Sequence, residues 1–178
     1  VGPDLTHNGE EDAFVAKVKA DGTSLLYCGY VGGALDDHGK SIAVTNTGYA
    51  YITGNTFSPQ NTFPVVGGLD LTHNGGLDIF ITQISNTDTS LIFSGYLGGS
   101  GSDYGAGIAL EGSQMIYIGG STTSNQSDFP VITGPDLSQN GDVDAYVTKI
   151  QFFREDLLGS WPGSGVWFRN SDTGQFEI

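Results

Sequence analysis

The segment Asp12-Ala13-Phe14-Val15-Ala16-Lys17-Val18 returns as Asp78-Ile79-Phe80-Ile81-Thr82-Gln83-Ile84 and again as Asp144-Ala145-Tyr146-Val147-Thr148-Lys149-Ile150. The offsets, 78 − 12 and 144 − 78, are both 66. Between these anchors the register holds without a gap. Tyr30-Val31-Gly32-Gly33 falls on Tyr96-Leu97-Gly98-Gly99, Asp37 on Asp103, Ile42-Ala43-Val44 on Ile108-Ala109-Leu110, and Phe63-Pro64-Val65 on Phe129-Pro130-Val131. A fixed period of this size constrains the fold more than any other feature, because each copy must solve the same packing problem against its neighbours.

Within one period the pattern is that of strands. Phe14, Ala16 and Val18 alternate with other side chains at a period of two. Asp21-Gly22 signals a tight turn, and Leu25 to Val31 reads as the next strand, closed by Gly32-Gly33. A polar turn over 35–39 then leads to a short strand, Ser41 to Val44; Asn46-Thr47-Gly48 turns the chain, and Tyr49 to Thr53 runs back. Ile79–Ile84, Leu91–Leu97, Gly107–Leu110, Met115–Gly119 and Ala145–Ile150 follow as strands of the later copies. No helical periodicity interrupts them, and 28 glycines in 178 residues suit many tight turns. The fold class is therefore all-β, with four short strands to a unit. Long connections, 56–77 and 122–143, link one four-strand unit to the next. Their repeated Phe-Pro-Val predicts ordered packing, although connections of this length are uncommon in compact domains. Beyond Gln151 the repeat is lost. Residues 151–178 read as a divergent β-hairpin segment turning at Asn170-Ser171-Asp172-Thr173-Gly174.

The repeated motifs Asp-Ala-Phe-Val-Ala-Lys-Val, Tyr-Val-Gly-Gly followed by Asp-Asp-x-Gly, Ile-Ala-Val and Ala-Tyr-Ile-Thr-Gly resemble the SBBP repeats of bacterial extracellular β-propellers. The resemblance covers about 12–150. It implies radially arranged four-stranded blades, with Ser41–Val44 and Gly107–Leu110 innermost and Leu91–Leu97 outermost in its blade. It also implies an extracellular or cell-surface setting in a bacterium. The tail from Asp156 to Trp161 and from Val166 to Asn170 resembles the start of an FG-GAP-like repeat over a short stretch. Residues 1–150 would then supply about two and a half blades, the outer half of one, a full one and most of a third. That is too few to close a ring of about 4–8. The expectation is a piece of a longer polypeptide, ahead of a ring completed by several copies or an open stack with exposed strand edges.

The net charge of −14 excludes the Lys/Arg footprint of a nucleic-acid binder and does not suit docking on anionic membranes. The longest apolar runs are four or five residues, too short for a membrane-spanning helix, and direct membrane insertion is not expected. The same charge permits cation binding. Asp36, Asp37 and Asp103 lie in Gly-rich corners before the short strands; Asn74, Asp78, Asn140, Asp142 and Asp144 lie in Asn-Gly-x-x-Asp loops. Carboxylates with backbone carbonyls are what Ca²⁺ requires. The alternative is that these residues bind local backbone N–H groups and hold the turns, the expected role of a residue present in every copy. His7, His38 and His73 read as surface loop residues, since nothing supplies a converging Zn²⁺ set. Cys28 aligns with Ser94 and reads as a small buried side chain with no disulfide partner. Trp161, Trp167, Phe168 and Arg169 suit either the core of the terminal hairpin or an aromatic sugar- or partner-binding patch.

No nucleophile elbow, phosphate loop, dinucleotide fingerprint or HExxH motif occurs. The expectation is a non-catalytic structural or protein-interaction module, associating with itself or a protein partner through its long loops. Its rivals are a Ca²⁺-stabilised self-assembling scaffold, and a ligand-binding, carbohydrate-binding or enzymatic propeller. The last would need the positions that vary between copies, Asn55/Ser121, His38/Tyr104 and Lys40/Ala106, to gather with carboxylates in one pocket.

Overall fold

The computed structural model describes residues 2–112 and 115–151 in full, and the backbone of two short strands at 168–169 and 176–177. All regular structure among them is β, with no helix. Strands β1 (Ala13–Val18) and β2 (Leu25–Val31) form a first antiparallel sheet. A second, four-stranded sheet takes β3 (Asp37–Val44), β4 (Ala50–Thr56), β5 (Asp78–Ile84) and β6 (Leu91–Leu97) in sequence order. A third takes β7 (Asp103–Glu111), β8 (Met115–Thr122) and β9 (Asp144–Gln151). The pair β10 (Phe168–Arg169) and β11 (Phe176–Glu177) brackets the expected terminal turn, whose residues lie outside the described ones, as do the side chains of Trp161, Trp167, Phe168 and Arg169.

The repeat is carried by the register itself. β4 and β5 pair from Ala50↔Ile84 to Thr56↔Asp78, and β8 and β9 from Ile116↔Ile150 to Thr122↔Asp144, the same pairs one period on. The first strands of the second and third sheets are longer than the alternation predicts. β3 starts at Asp37 rather than Ser41, and β7 at Asp103, because a bulge between Gly39 and Ser41, and between Gly105 and Gly107, absorbs one residue and lets pairing continue to Asp37↔Thr56 and Asp103↔Thr122. The polar turn is confined to 34–36 in consequence.

Period-two alternation in β5 distributes its side chains between two cores. Phe80 and Ile84 join Ala50, Ile52, Phe63 and Tyr96 against Ala13, Val15, Tyr27 and Val31 of the first sheet. Ile79 and Ile81 join Tyr51, Phe93 and Leu97 against Ile116, Ile118 and Ile150 of the third. With a neighbour on each face, every residue of β4 is buried. The outer faces at the two ends lack such cover: Phe14, the counterpart of Phe80, is 70% exposed, and so is Val147, the counterpart of Ile81. Cys28 shares the uncovered face of the first sheet and is only half-buried, unlike fully buried Ser94, whose hydroxyl lies 2.9 Å from that of Thr82.

The long connections are ordered, as their Phe-Pro-Val cores predict. Phe63 is buried with its ring 5.4 Å from those of both Phe80 and Tyr96, and Phe129 lies 5.3 Å from Tyr146. The 57–77 connection then runs along the free edge of β6, exchanging bonds between Val66 and Ser94 at 2.8 Å, while the Asp70 carbonyl accepts the Tyr96 N–H at 2.8 Å. Asp4 accepts from Tyr30 at 2.8 Å on the edge of β2 in the same way. Edges that would otherwise recruit foreign strands are thereby covered.

Candidate functional site

The corners between sheets hold the candidate acidic residues. After β2 and β6 the chain turns through Gly32-Gly33 and Gly98-Gly99, and the carboxylate that opens the next sheet reaches back to it. Asp37 Oδ2 accepts the Gly33 N–H at 2.6 Å and the Ser58 hydroxyl at 2.8 Å. Asp103 Oδ2 accepts the Gly99 N–H at 2.7 Å and the Ser124 hydroxyl at 2.9 Å, while its Oδ1 takes the Thr122 hydroxyl. Asp36 is half-buried, and its carbonyl accepts the Phe57 N–H at 3.0 Å. Ser58, Thr122 and Ser124 escape a reading of acids alone. The available signal is spacing: Ser58 and Ser124 each follow their corner aspartate by 21 residues.

The Asn-Gly loops form a second repeated network. The Thr72 N–H donates to Asp70 Oδ1 at 2.8 Å, Asn74 Nδ2 donates to Asp70 Oδ2, and the Asn74 N–H donates to Asp78 Oδ2 at 2.7 Å. The third copy repeats this through Ser138, Asp136, Asn140 and Asp144, with Asn140 N–H to Asp144 Oδ2 at 2.7 Å, and Asp142 lies exposed beside it. The first copy does so through Thr6, Asp4, Asn8 and Asp12. These bonds are those of turn-holding Asx residues. The Ca²⁺ candidates are distributed over three places: Asp36 and Asp37 at one seam, Asn74, Asp78 and Asp103 at the next, Asn140, Asp142 and Asp144 at the far end. Among the described residues no three His, Cys, Asp or Glu side chains are grouped to hold a metal ion.

Two carboxylates meet at each seam. A side chain added at Gly98 would place its Cβ 2.8 Å from an oxygen of Asp78 and 2.8 Å from one of Asp103, so both acids close on a position only glycine fits. Asp78 and Asp103 are fully buried, and Asp78 Oδ1 has no hydrogen-bond partner. Asp12 and Asp37 flank Gly32 likewise, each with a buried, unpartnered Oδ1. Burial pushes the Asp78 carboxyl up to about 6, with the Asp103 and Asp70 charges adding to it and the Asn74 N–H and His73 opposing it. Burial raises Asp37 as well. An acid whose folded-state pKa is raised binds protons that the unfolded chain has released, so its contribution to stability falls as pH rises from about 4 to about 6. Asp78→Asn keeps the acceptor for the Asn74 N–H and removes the charge. It is expected to raise the urea midpoint over the wild type more at pH 8 than at pH 5; an equal difference at both would mean that Asp78 is not held protonated by burial.

The positions that vary between copies do not gather in one place. Asn55 is buried, and its Oδ1 accepts the Gly105 N–H at 2.7 Å, binding the second sheet to the third. Lys40 and Ala106 are the bulge residues. Tyr104 is 42% exposed, and its carbonyl accepts the Tyr146 hydroxyl at 3.2 Å. His38 Nε2 lies 3.0 Å from Glu11 Oε2 at the mouth of an open groove of about 540 Å³ between β1 and β3. The other two histidines do more than occupy a surface. His73 is half-buried with its ring edge-on to Tyr96 at 5.7 Å and its Nε2 3.3 Å from the Thr56 carbonyl, and His7 meets Tyr30 edge-on at 5.7 Å. Each pins its loop to the tyrosine of the last strand of a sheet.

Comparison with protein-family models finds no family that matches the chain, and comparison with curated proteins finds no match.

Proposed function

We propose that the chain is a non-catalytic structural and protein-interaction module of an extracellular or cell-surface protein, built from propeller-type blades of the SBBP kind, and that its contact surface is the rim of long connections. The strand order within the second sheet and the face-to-face stacking at a 66-residue period support the blade reading. One observation carries the contact surface: Leu5, Leu71 and Leu137 occupy the same place in three repeats and are 68%, 45% and 41% exposed. Each follows the aspartate that anchors its loop, so the backbone holds the leucine outward rather than letting it fold into a core. A row of apolar side chains presented from bonded loops suits association better than solvation. The partner argued for is a second copy of the chain. Sedimentation velocity of the wild type and of a Leu5→Asp, Leu71→Asp, Leu137→Asp variant tests this. The wild type is expected to associate as concentration rises, and the variant to remain monomeric with its thermal midpoint unchanged. A wild type that stays monomeric, or a variant that associates equally, overturns the assignment of the rim.

A further inference from the structure

β1 is paired on one edge only. β2 holds one side, and no strand among the described residues holds the other. In the second and third sheets the corresponding edge is filled, by β4 on β5 and by β8 on β9. One period back, the β5 residues Asp78–Ile84 become Asp12–Val18, so the free edge of β1 is the one on which a strand like β4 belongs. The groove runs beside it, with Ala13 and Val15 on one wall, Gly39 and Lys40 on the other and Ile52 among its lining.

We propose that this groove is an acceptor site for one extended β-strand, which pairs antiparallel with β1, and that the strand it accepts is of the repeat's own second-strand type, Ala-Tyr-Ile-Thr-Gly-Asn-Thr as in β4, supplied by another repeat-bearing segment. Main-chain bonds to an open edge supply affinity, and alternate side chains supply selectivity. The filled seam defines both. Tyr51 of β4 shares a core with Ile116 and Ile118 of the next sheet. Their counterparts one period back are Ala50 and Ile52, of which Ile52 lines the groove, so a bound tyrosine in the place of Tyr51 covers it. Asn55 accepts the Gly105 N–H; Gly39 is the counterpart of Gly105, and a bound asparagine takes its N–H in the same way. The residue in the place of Ile52 points to the other face, where Phe14 and Val18 are 70% and 54% exposed, and meets solvent. The acceptor face therefore reads every second residue. None of these residues belongs to the leucine rim, and the site stands or falls separately from it.

A fluorescent peptide spanning Tyr49–Phe57, titrated into the whole 178-residue chain, tests the site. Saturable binding is expected, with amide exchange slowed at Ala13–Val18. Tyr51→Glu in the peptide is expected to weaken binding by about tenfold or more, and Asn55→Ala to weaken it measurably, whereas Ile52→Glu changes it by less than about threefold. Absence of saturable binding overturns the site. So does equal binding by a scrambled peptide, an equal effect of the two glutamates, or protection that appears on β9 instead of β1.

Discussion

Phe80→Ala is expected to cost about 3–5 kcal/mol of stability, and Phe14→Ala less than about 1, although the two phenylalanines stand at the same place in the repeat. Phe80 is fully buried between the first and second sheets, with Phe63 against its ring. Truncation there removes the transfer energy of the ring and leaves a cavity that β4, packed on both faces, cannot collapse into. Phe14 is 70% exposed, and its ring keeps most of its water contact. Urea unfolding of both variants decides the matter. A cost at Phe14 comparable to that at Phe80 would mean that another surface covers the end face in solution.

Gly54→Ala is expected to cost more than about 3 kcal/mol or to prevent folding, while Gly107→Ala is neutral to within about 0.5. A Cβ on Gly54 would overlap the His38 carbonyl oxygen and come within 2.7 Å of Cε1 of Phe80. Neither can yield: the carbonyl belongs to the paired backbone beside the bulge, and the ring is locked in the core. Gly120 meets the Tyr104 carbonyl in the same way. Gly107 has nothing within 4 Å of its missing side chain, and its counterpart in the second sheet is already a serine, Ser41. Thermal unfolding of the two variants checks both halves; equal midpoints would mean that the bulge relaxes to accommodate a methyl group.

The 66-residue period locates strands and turns because hydrophobic alternation and Gly-containing turns are local signals. It identifies Phe14 and Phe80 as equivalent and is silent about their opposite environments, since burial depends on whether a neighbouring sheet is present. The bulge at Gly39 leaves no mark on the pattern, because one extra residue inverts the alternation that sets strand limits, so the sequence puts Asp37 in a turn whereas it pairs with Thr56. The acids were visible as residue types, but their donors Ser58 and Ser124 lie across a turn and an entire hairpin. Asn55 shows in the sequence only as a position that varies between copies, and in the structure it bonds one sheet to the next. His73 read as a loop residue because nothing in its own segment announces Tyr96 as its neighbour.

The corner aspartates have a consequence for how the chain opens. Asp37 and Asp103 each begin one sheet yet accept the backbone N–H that ends the sheet before it. Separating either pair of sheets breaks a bond from a backbone amide to a carboxylate, which is stronger than a bond between neutral groups. An arrangement of near-identical modules, which could in principle fray one at a time from its ends, is thereby coupled from each module to the next.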